Sequence, residues 1–212
     1  MNEKKYFITI EGGEGSGKTT QSILIKEHLE LKGYKTLLTR EPGGAVLAEA
    51  IRTILLDPNL KPVPLSELFL YEAARAQHIE EVIMPALKSG KVVICDRFTD
   101  ATIAYQGYGR GLNLQFIKKL NSEASFGLIP ILTIYLDIEP SKGLNKSKSL
   151  HKEYYGKNGD RLERESVRFH NKVRKGYLKE AKKYPKRIKV VQTQSSLEKT
   201  QKLIRKIIDA VL

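Results

Sequence analysis

The chain has 212 residues, of which 41% are hydrophobic and 29% charged, enough for one α/β domain with a good core. No apolar run approaches the length of a membrane span, and the lone cysteine, Cys95, rules out an internal disulfide and suits a reducing cytoplasm. The net charge of +13 is uneven: residues 1–140 hold 16 Lys and Arg against 17 Asp and Glu, whereas residues 141–212 hold 21 against 7.

The charged N-terminus passes into an apolar, β-rich run at 6–10, which is unlike a signal peptide. That run opens onto Gly12, Gly17, Lys18 and Thr19, spaced G-x-x-x-x-G-K-T. A helical pattern follows over 18–32, with Ile23, Leu24, Leu29 and Leu31 interleaved with Lys26, Glu27 and Glu30. Strand, glycine turn and helix start are the context in which this motif wraps a polyphosphate. Glycines let backbone N–H groups converge on the anion, and the helix N-terminus adds partial positive charge. Gly12, Gly13, Glu14, Gly15, Ser16, Gly17, Lys18, Thr19 and Thr20 are therefore expected to bind ATP. Lys18 would reach the β and γ phosphates, and the Thr19 hydroxyl would bind Mg²⁺.

Further β-rich runs lie at 35–39, 91–95, 131–136 and 187–191. Helical patterns cover 46–56, 66–88, 99–106, 114–126, 160–183 and 196–211. Strands separated by helices predict a five-stranded parallel sheet flanked by helices, an α/β P-loop fold in a single domain spanning 1–212. Ser66 and Asn113 read as N-caps, and Gly33 and Gly90 suit helix C-termini. Pro85 predicts a kink or break near Met84. Cys95 ends the run Val92-Val93-Ile94-Cys95, so an inert buried thiol is expected. Residues 141–159 are polar, basic and punctuated by glycine, a composition that buries little apolar surface. Beside a phosphate site this segment, extended to about 164, reads as a lid.

The remaining motifs narrow the class. The nearest string to an Asn-Lys-x-Asp guanine reader, Asn145-Lys146-Ser147-Lys148, lacks the acid. The third β-rich run ends Cys95-Asp96-Arg97. An Asp at a strand's C-terminal edge beside the loop can hold the water shell of Mg²⁺. An adjacent Arg suits bidentate binding of a second, anionic substrate.

Taken together, the phosphate loop, Thr39-Arg40-Glu41-Pro42-Gly43-Gly44, Tyr71-Glu72-Ala73-Ala74-Arg75-Ala76-Gln77-His78, Asp96-Arg97-Phe98, Ala104-Tyr105-Gln106-Gly107, Tyr135-Leu136-Asp137 and Asp160-Arg161-Leu162-Glu163 resemble the thymidylate kinase family, in its order and over nearly the whole chain. The resemblance implies a nucleoside monophosphate kinase-like fold with a mobile lid. Arg97 and Arg75 would line the monophosphate pocket, Arg75 also facing the base, with Arg52 as a further pocket arginine. Tyr71 stands where the family usually has a Phe stacked on thymine; it keeps a π-face but adds a hydroxyl that needs a partner. Thr102 and Gln106 fall where the thymine edge is read, and Tyr105 where an aromatic crowds the sugar 2′ position. Glu14 matches an acid near the acceptor's 3′-hydroxyl, and Glu41 another pocket acid. The loop carries no basic residue before Lys18, so the sequence resembles the lid-dependent bacterial type. Its lid nevertheless has Lys146 and Lys148, and Leu150 at a third basic position, before Arg161 and Arg164. Lysine is a point charge and cannot fork onto a phosphate, so Arg161 is the expected lid cation, joining Lys18, Asp96 and Arg97 as catalytic residues.

The implied reaction is transfer of the ATP γ-phosphoryl to dTMP, with Mg²⁺ held by Thr19 and Asp96, in a cytoplasmic homodimer. The nucleophile is a phosphate oxygen already anionic near neutral pH, so His28, His78, His151 and His170 need no catalytic part. Two alternatives stand beside this reading. One is a kinase for another deoxynucleotide or a deoxynucleoside, where Asp96 or Glu41 would have to act as base. The other, carried only by the basic last third, is a nucleic-acid-binding ATP switch.

Overall fold

A computed structural model describes residues 6–150 and 160–212, without the side chains of 148–150. Five parallel strands form one sheet: β1 (Phe7–Gly12), β2 (Thr36–Arg40), β3 (Val92–Asp96), β4 (Leu132–Asp137) and β5 (Ile188–Gln192). Their spatial order is β2-β3-β1-β4-β5, so β1 lies at the centre between β3 and β4. Each expected strand is present, displaced by about one residue. The crossovers carry α1 (Lys18–Leu31), α2 (Val46–Leu56), α3 (Pro64–His78), α4 (Met84–Lys88), α5 (Thr99–Thr102), α6 (Leu114–Ala124), α7 (Pro140–Leu150), α8 (Val167–Lys183) and α9 (Leu197–Asp209). π-helical turns at Ile79–Ile83 and Ile103–Gly109 join α3 to α4 and extend α5.

The sheet is covered on both faces, which is why its strands read as continuous apolar runs. On one side Ile8 and Ile10 of β1, Ile94 and Ile134 pack with Ile25 and Leu29 of α1 and Ile204 and Ile208 of α9. On the other, Phe7, Val93 and Cys95 meet Phe98, Ile79 and Ile83. There too Tyr135 stacks on Tyr177 of α8, ring centroids 4.7 Å apart. Cys95 is buried, its Sγ–H donating to the Arg97 carbonyl, and burial pushes its thiol well above the ordinary range.

The punctuation marks are partly as expected. Asn113 caps α6 by accepting from the N–H of Gln115 and Phe116, and Gly33 and Gly90 take positive φ after α1 and α4. Ser66 is not a cap: Val63 is, with Pro64 in the first turn, where a missing N–H costs nothing. The break expected near Met84 is present: a π turn over Ile79–Ile83 interrupts the α-helical ladder and α4 starts at Met84, with Pro85 in its first turn. The helix expected at 160–183 starts only at Val167, capped by Ser166, because 160–165 are turns tied by Asp160. The segment expected as a polar lid loop begins as α7, with Gly143, Leu144 and Ser147 buried. Lys148, Leu150 and His151 lie outside the described side chains.

Candidate active site

The site stands on the C-terminal edge of the sheet, where β1 and β3 run in register with Ile10 opposite Asp96. Beyond β1, Gly15 and Gly17 take φ of 66° and 88°, the left-handed region that glycine enters without penalty. No side chain caps α1, which leaves its first-turn N–H groups without a side-chain partner at the N-cap. Lys18 opens that helix, and its Nζ donates to the Gly13 carbonyl at 2.9 Å. Burial, reinforced by Arg97, pulls the Lys18 ammonium below its ordinary value. An anion brought into the loop would offset both effects.

Thr19 Oγ1 donates to Asp96 Oδ2 at 2.9 Å, and Asp96 Oδ1 is buried without a hydrogen-bond partner among the described residues. A hydroxyl and an unsatisfied carboxylate oxygen, both hard oxygen donors, fit a magnesium ion with its waters.

Arg97 follows β3 at φ 71°, a strained conformation for a non-glycine residue. Its backbone N–H donates to Ile10 O at 2.9 Å. Its guanidinium donates to Glu14 Oε1 at 2.7 Å and Gly12 O at 3.2 Å, and lies 4.9 Å over the Tyr105 ring. The Tyr105 hydroxyl donates to the same Glu14 oxygen at 2.8 Å. Burial alone would raise the Glu14 carboxyl; Arg97, Lys18 and Tyr105 together hold it at about 2. Behind this pair, Glu11 accepts from the Phe98 N–H at 2.8 Å and from the Tyr177 hydroxyl at 2.7 Å. Burial and the nearby Asp100 push the Glu11 carboxyl up to about 8, against the pull of Tyr177 and Arg97.

A cavity of about 380 Å³ opens from the loop toward α2, α3 and the second π turn. Glu14, Gly15, Gly17, Lys18, Thr19, Thr20, Glu41, Arg52, Tyr71, Arg75, Asp96, Arg97, Thr102, Tyr105 and Gln106 all line it, so most of the expected site converges. Gly12, Gly13 and Ser16 form the loop behind it, Ser16 Oγ being buried without a partner among the described residues. Arg75 is 2% exposed and fully engaged, donating to Glu41, Glu72, Asn121 and Thr102, with the Phe98 ring 5.3 Å from its guanidinium carbon. Burial disfavours its charge, but Glu41 and Glu72 more than compensate and raise its pKa. Arg52 donates to Pro42 O at 2.9 Å. Glu41 is held between Arg75 and His78. The Tyr71 hydroxyl has no hydrogen-bond partner among the described residues, and burial raises its pKa.

Arg161 does not line the cavity. Its Nη1 donates to Glu67 Oε2 at 2.5 Å and its Nε to Leu55 O at 2.7 Å, because the turns after residue 160 direct it down onto α2 and α3. Its neighbour Asp160 does line the cavity, and burial, with the charge of Glu14, raises that carboxyl to about 6. Sequence reasoning missed Glu11, Glu67 and Arg110. Glu11 left a signal, an acid closing an apolar strand. Glu67 and Arg110 left none, since they are 43 positions apart and meet only through the fold.

A parallel sheet ordered 2-3-1-4-5, with a phosphate loop after its central strand and an Asp-Arg pair on the neighbouring edge, defines a P-loop kinase of the nucleoside monophosphate type. The thymidylate kinase sequence profile matches residues 10–204, and the chain belongs to that family. It is 50% identical over 200 residues to the thymidylate kinase of Citrifermentans bemidjiense, covering 94% of this chain and 89% of that protein. It is 52% identical to the thymidylate kinase of Geotalea daltonii, covering 92% of each. The crystal structure of thymidylate kinase from Ehrlichia chaffeensis superposes with a TM-score of 0.77 at 36% identity, covering 97% of this chain and 98% of that one.

Proposed function

We propose that this protein transfers the γ-phosphoryl group of ATP to dTMP, giving dTDP and ADP. The observation that carries the reading is one cavity holding both the Lys18–Thr19–Asp96 end of the phosphate loop and the Arg97–Glu14 pair. Lys18 and the first-turn N–H groups of α1 would grip the donor phosphates. Arg97, with Arg52, would hold the acceptor phosphate oxygens, Arg97 releasing part of its hold on Glu14 as it does so. Asp96 and Thr19 would hold magnesium, which supplies charge neutralisation at the donor. Tyr71 would lie against the base, Thr102 and Gln106 would meet its edge, Tyr105 would crowd the sugar, and Glu14 would face the 3′-hydroxyl. Glu41 serves by fixing Arg75. Catalysis is then alignment plus electrostatic stabilisation, with no proton to abstract.

We read residues 141–164 as the lid of the single domain. Arg161 serves as its cation only by leaving Glu67, so closure is a step with a side-chain exchange in it. A homodimer is supported by exposed apolar side chains on α2 and α3, among them Val46 at 89% and Phe69 at 49% exposure; sedimentation of the protein and of Phe69→Glu tests it. A cytoplasmic setting accords with the buried Cys95 thiol. Part of the basic last third is structural: Arg174 pairs with Asp137 and Arg187 with Asp100. A DNA titration at low salt tests whether the remaining basic residues bind nucleic acid.

The deciding experiment is coupled ADP release measured with dTMP, dUMP, CMP and thymidine. The reading expects dTMP to be used with the highest kcat/KM. A preference for thymidine would replace it with a nucleoside kinase.

A further inference from the structure

Glu67 is the most heavily solicited carboxylate near the cavity that the mechanism leaves unused. It sits on α3 with no exposed surface. Its Oε1 accepts from Gln106 Nε2 at 2.8 Å and from Arg110 Nε at 3.1 Å. Its Oε2 accepts from Arg110 Nη2 at 3.0 Å and from Arg161 Nη1 at 2.5 Å. Burial would raise this carboxyl, but Arg110 and Gln106, with Arg161, bring it below its ordinary value, so it is an anion at neutral pH and has no hydrogen to give.

That one-sidedness has a chemical consequence for Gln106. A glutamine amide carries two donors on nitrogen and an acceptor on oxygen, and turning it over exchanges them. Against a carboxylate only the nitrogen side can face Glu67. Gln106 Oε1 accepts from no described residue, and the side chain lines the cavity. Thr102 carries a matching bias: Arg75 Nη2 donates to its Oγ1 at 2.9 Å, leaving the hydroxyl hydrogen to be given elsewhere.

We propose that Glu67 is a specificity-determining residue that locks Gln106 with its carbonyl oxygen toward the acceptor's base, so that the pocket selects bases carrying an N–H at ring position 3. This rests on the reading that Gln106 meets that base. Thymine and uracil offer a donor there, flanked by carbonyls. Cytosine offers a bare nitrogen acceptor and an exocyclic amine, so it would set acceptor against acceptor. A site built around such a hydrogen bond rejects the mismatched ligand strongly, since a buried polar group is left unpaired. Glu67 acts through Gln106 and touches no substrate.

The test compares affinities and kcat/KM for dTMP, dUMP and 5-methyl-dCMP, the last differing from dTMP only at the edge in question. In Glu67→Gln the amide at 67 can both give and accept, so Gln106 is free to turn. The preference for dTMP over 5-methyl-dCMP should fall about tenfold or more, while the dTMP-to-dUMP ratio stays as in the parent. A purely structural role would lower all three acceptors in parallel, and that result overturns the proposal. Gln106→Leu separates the two layers. If its dTMP preference is unchanged, Gln106 does not read the base and the proposal falls with that reading. If the preference collapses in Gln106→Leu but persists in folded Glu67→Gln, only the role of Glu67 is overturned. Should Glu67→Gln not fold, the parent protein supplies the readout. Its Gln106 side-chain amide protons, identified in NMR spectra by their loss in Gln106→Leu, should exchange slowly with solvent before any nucleotide is added. Fast exchange overturns the proposal.

Discussion

Arg97 and Glu14 form a 2.7 Å ion pair across the mouth of the phosphate loop, and the arginine makes it from a backbone at φ 71°. Among the described non-glycine residues only Arg97 and Phe126 take positive φ. The strain is held by hydrogen bonds on both sides of the residue: Arg97 N–H to Ile10 O, and Phe98 N–H to Glu11. The guanidinium is thereby brought to the acceptor side of the loop, already desolvated and already paired with a carboxylate that a phosphate can replace.

Arg97→Ala should therefore separate the two substrates. The kcat/KM for dTMP is expected to fall roughly 10²-fold or more, the scale of losing one charge-stabilising donor. ATP affinity, measured by calorimetry, should change by no more than a few-fold. An equal loss on the ATP side would place Arg97 at the donor.

Lys18→Ala removes the only side-chain ammonium of the loop. Turnover should drop by about 10³-fold, with melting temperature held or slightly raised because a buried charge is deleted. Unchanged turnover in the folded variant would remove the donor assignment.

What was legible in the sequence follows from range. The five strands and the loop were readable because apolar runs and glycine spacing are local signals. Most pocket residues were readable because they belong to motifs of consecutive residues. What was not legible has a different cause. Arg161 was expected as the lid cation at the transferring phosphoryl, and its sequence neighbours give no sign that Glu67, 94 positions away, holds it in this structure. Residues 140–150 are helical despite their polar composition, because Gly143, Leu144 and Ser147 form a narrow buried stripe that composition averages away. Ser66 looked like a cap by type, yet Pro64 sets the helix start two residues earlier. The π turn through Gln106 has no sequence signature at all; Thr102 and Gln106 share the cavity through it, not through ideal α spacing.

Gly143 on α7 lies directly against the phosphate loop. A Cβ there would overlap the Glu14 carbonyl, and one on Gly15 would overlap the Gly143 carbonyl, so both contacts are with backbone that cannot swing aside. Gly143→Ala should either push the loop or lift the helix. The expected result is an ATP KM raised by about tenfold and a stability loss of roughly 1–3 kcal/mol. A KM for ATP equal to that of the parent would mean that the loop does not depend on this contact.

Glu11 gives a pH dependence whose sign can be worked out. Its carboxyl ordinarily titrates at 4.5 and in the folded protein at about 8, so folding favours the protonated form. The group's contribution to stability is greatest below 4.5, declines as pH rises through the interval up to about 8, and is level above that. Asp160, raised from 3.8 to about 6, declines in the same direction but is finished by then. Glu14, lowered to about 2, works in the opposite sense and only in acid. Above about pH 7, then, Glu11 is the one of these three carboxyls still titrating. Urea midpoints across pH 6–9 should fall for the parent protein, with a total change on the order of a few kcal/mol. In Glu11→Gln, which keeps an acceptor for the Phe98 N–H and cannot ionise, that fall should be largely gone. The same slope in both proteins would mean that the carboxyl at 11 is ionised throughout, and that the turn carrying Arg97 is held by a carboxylate.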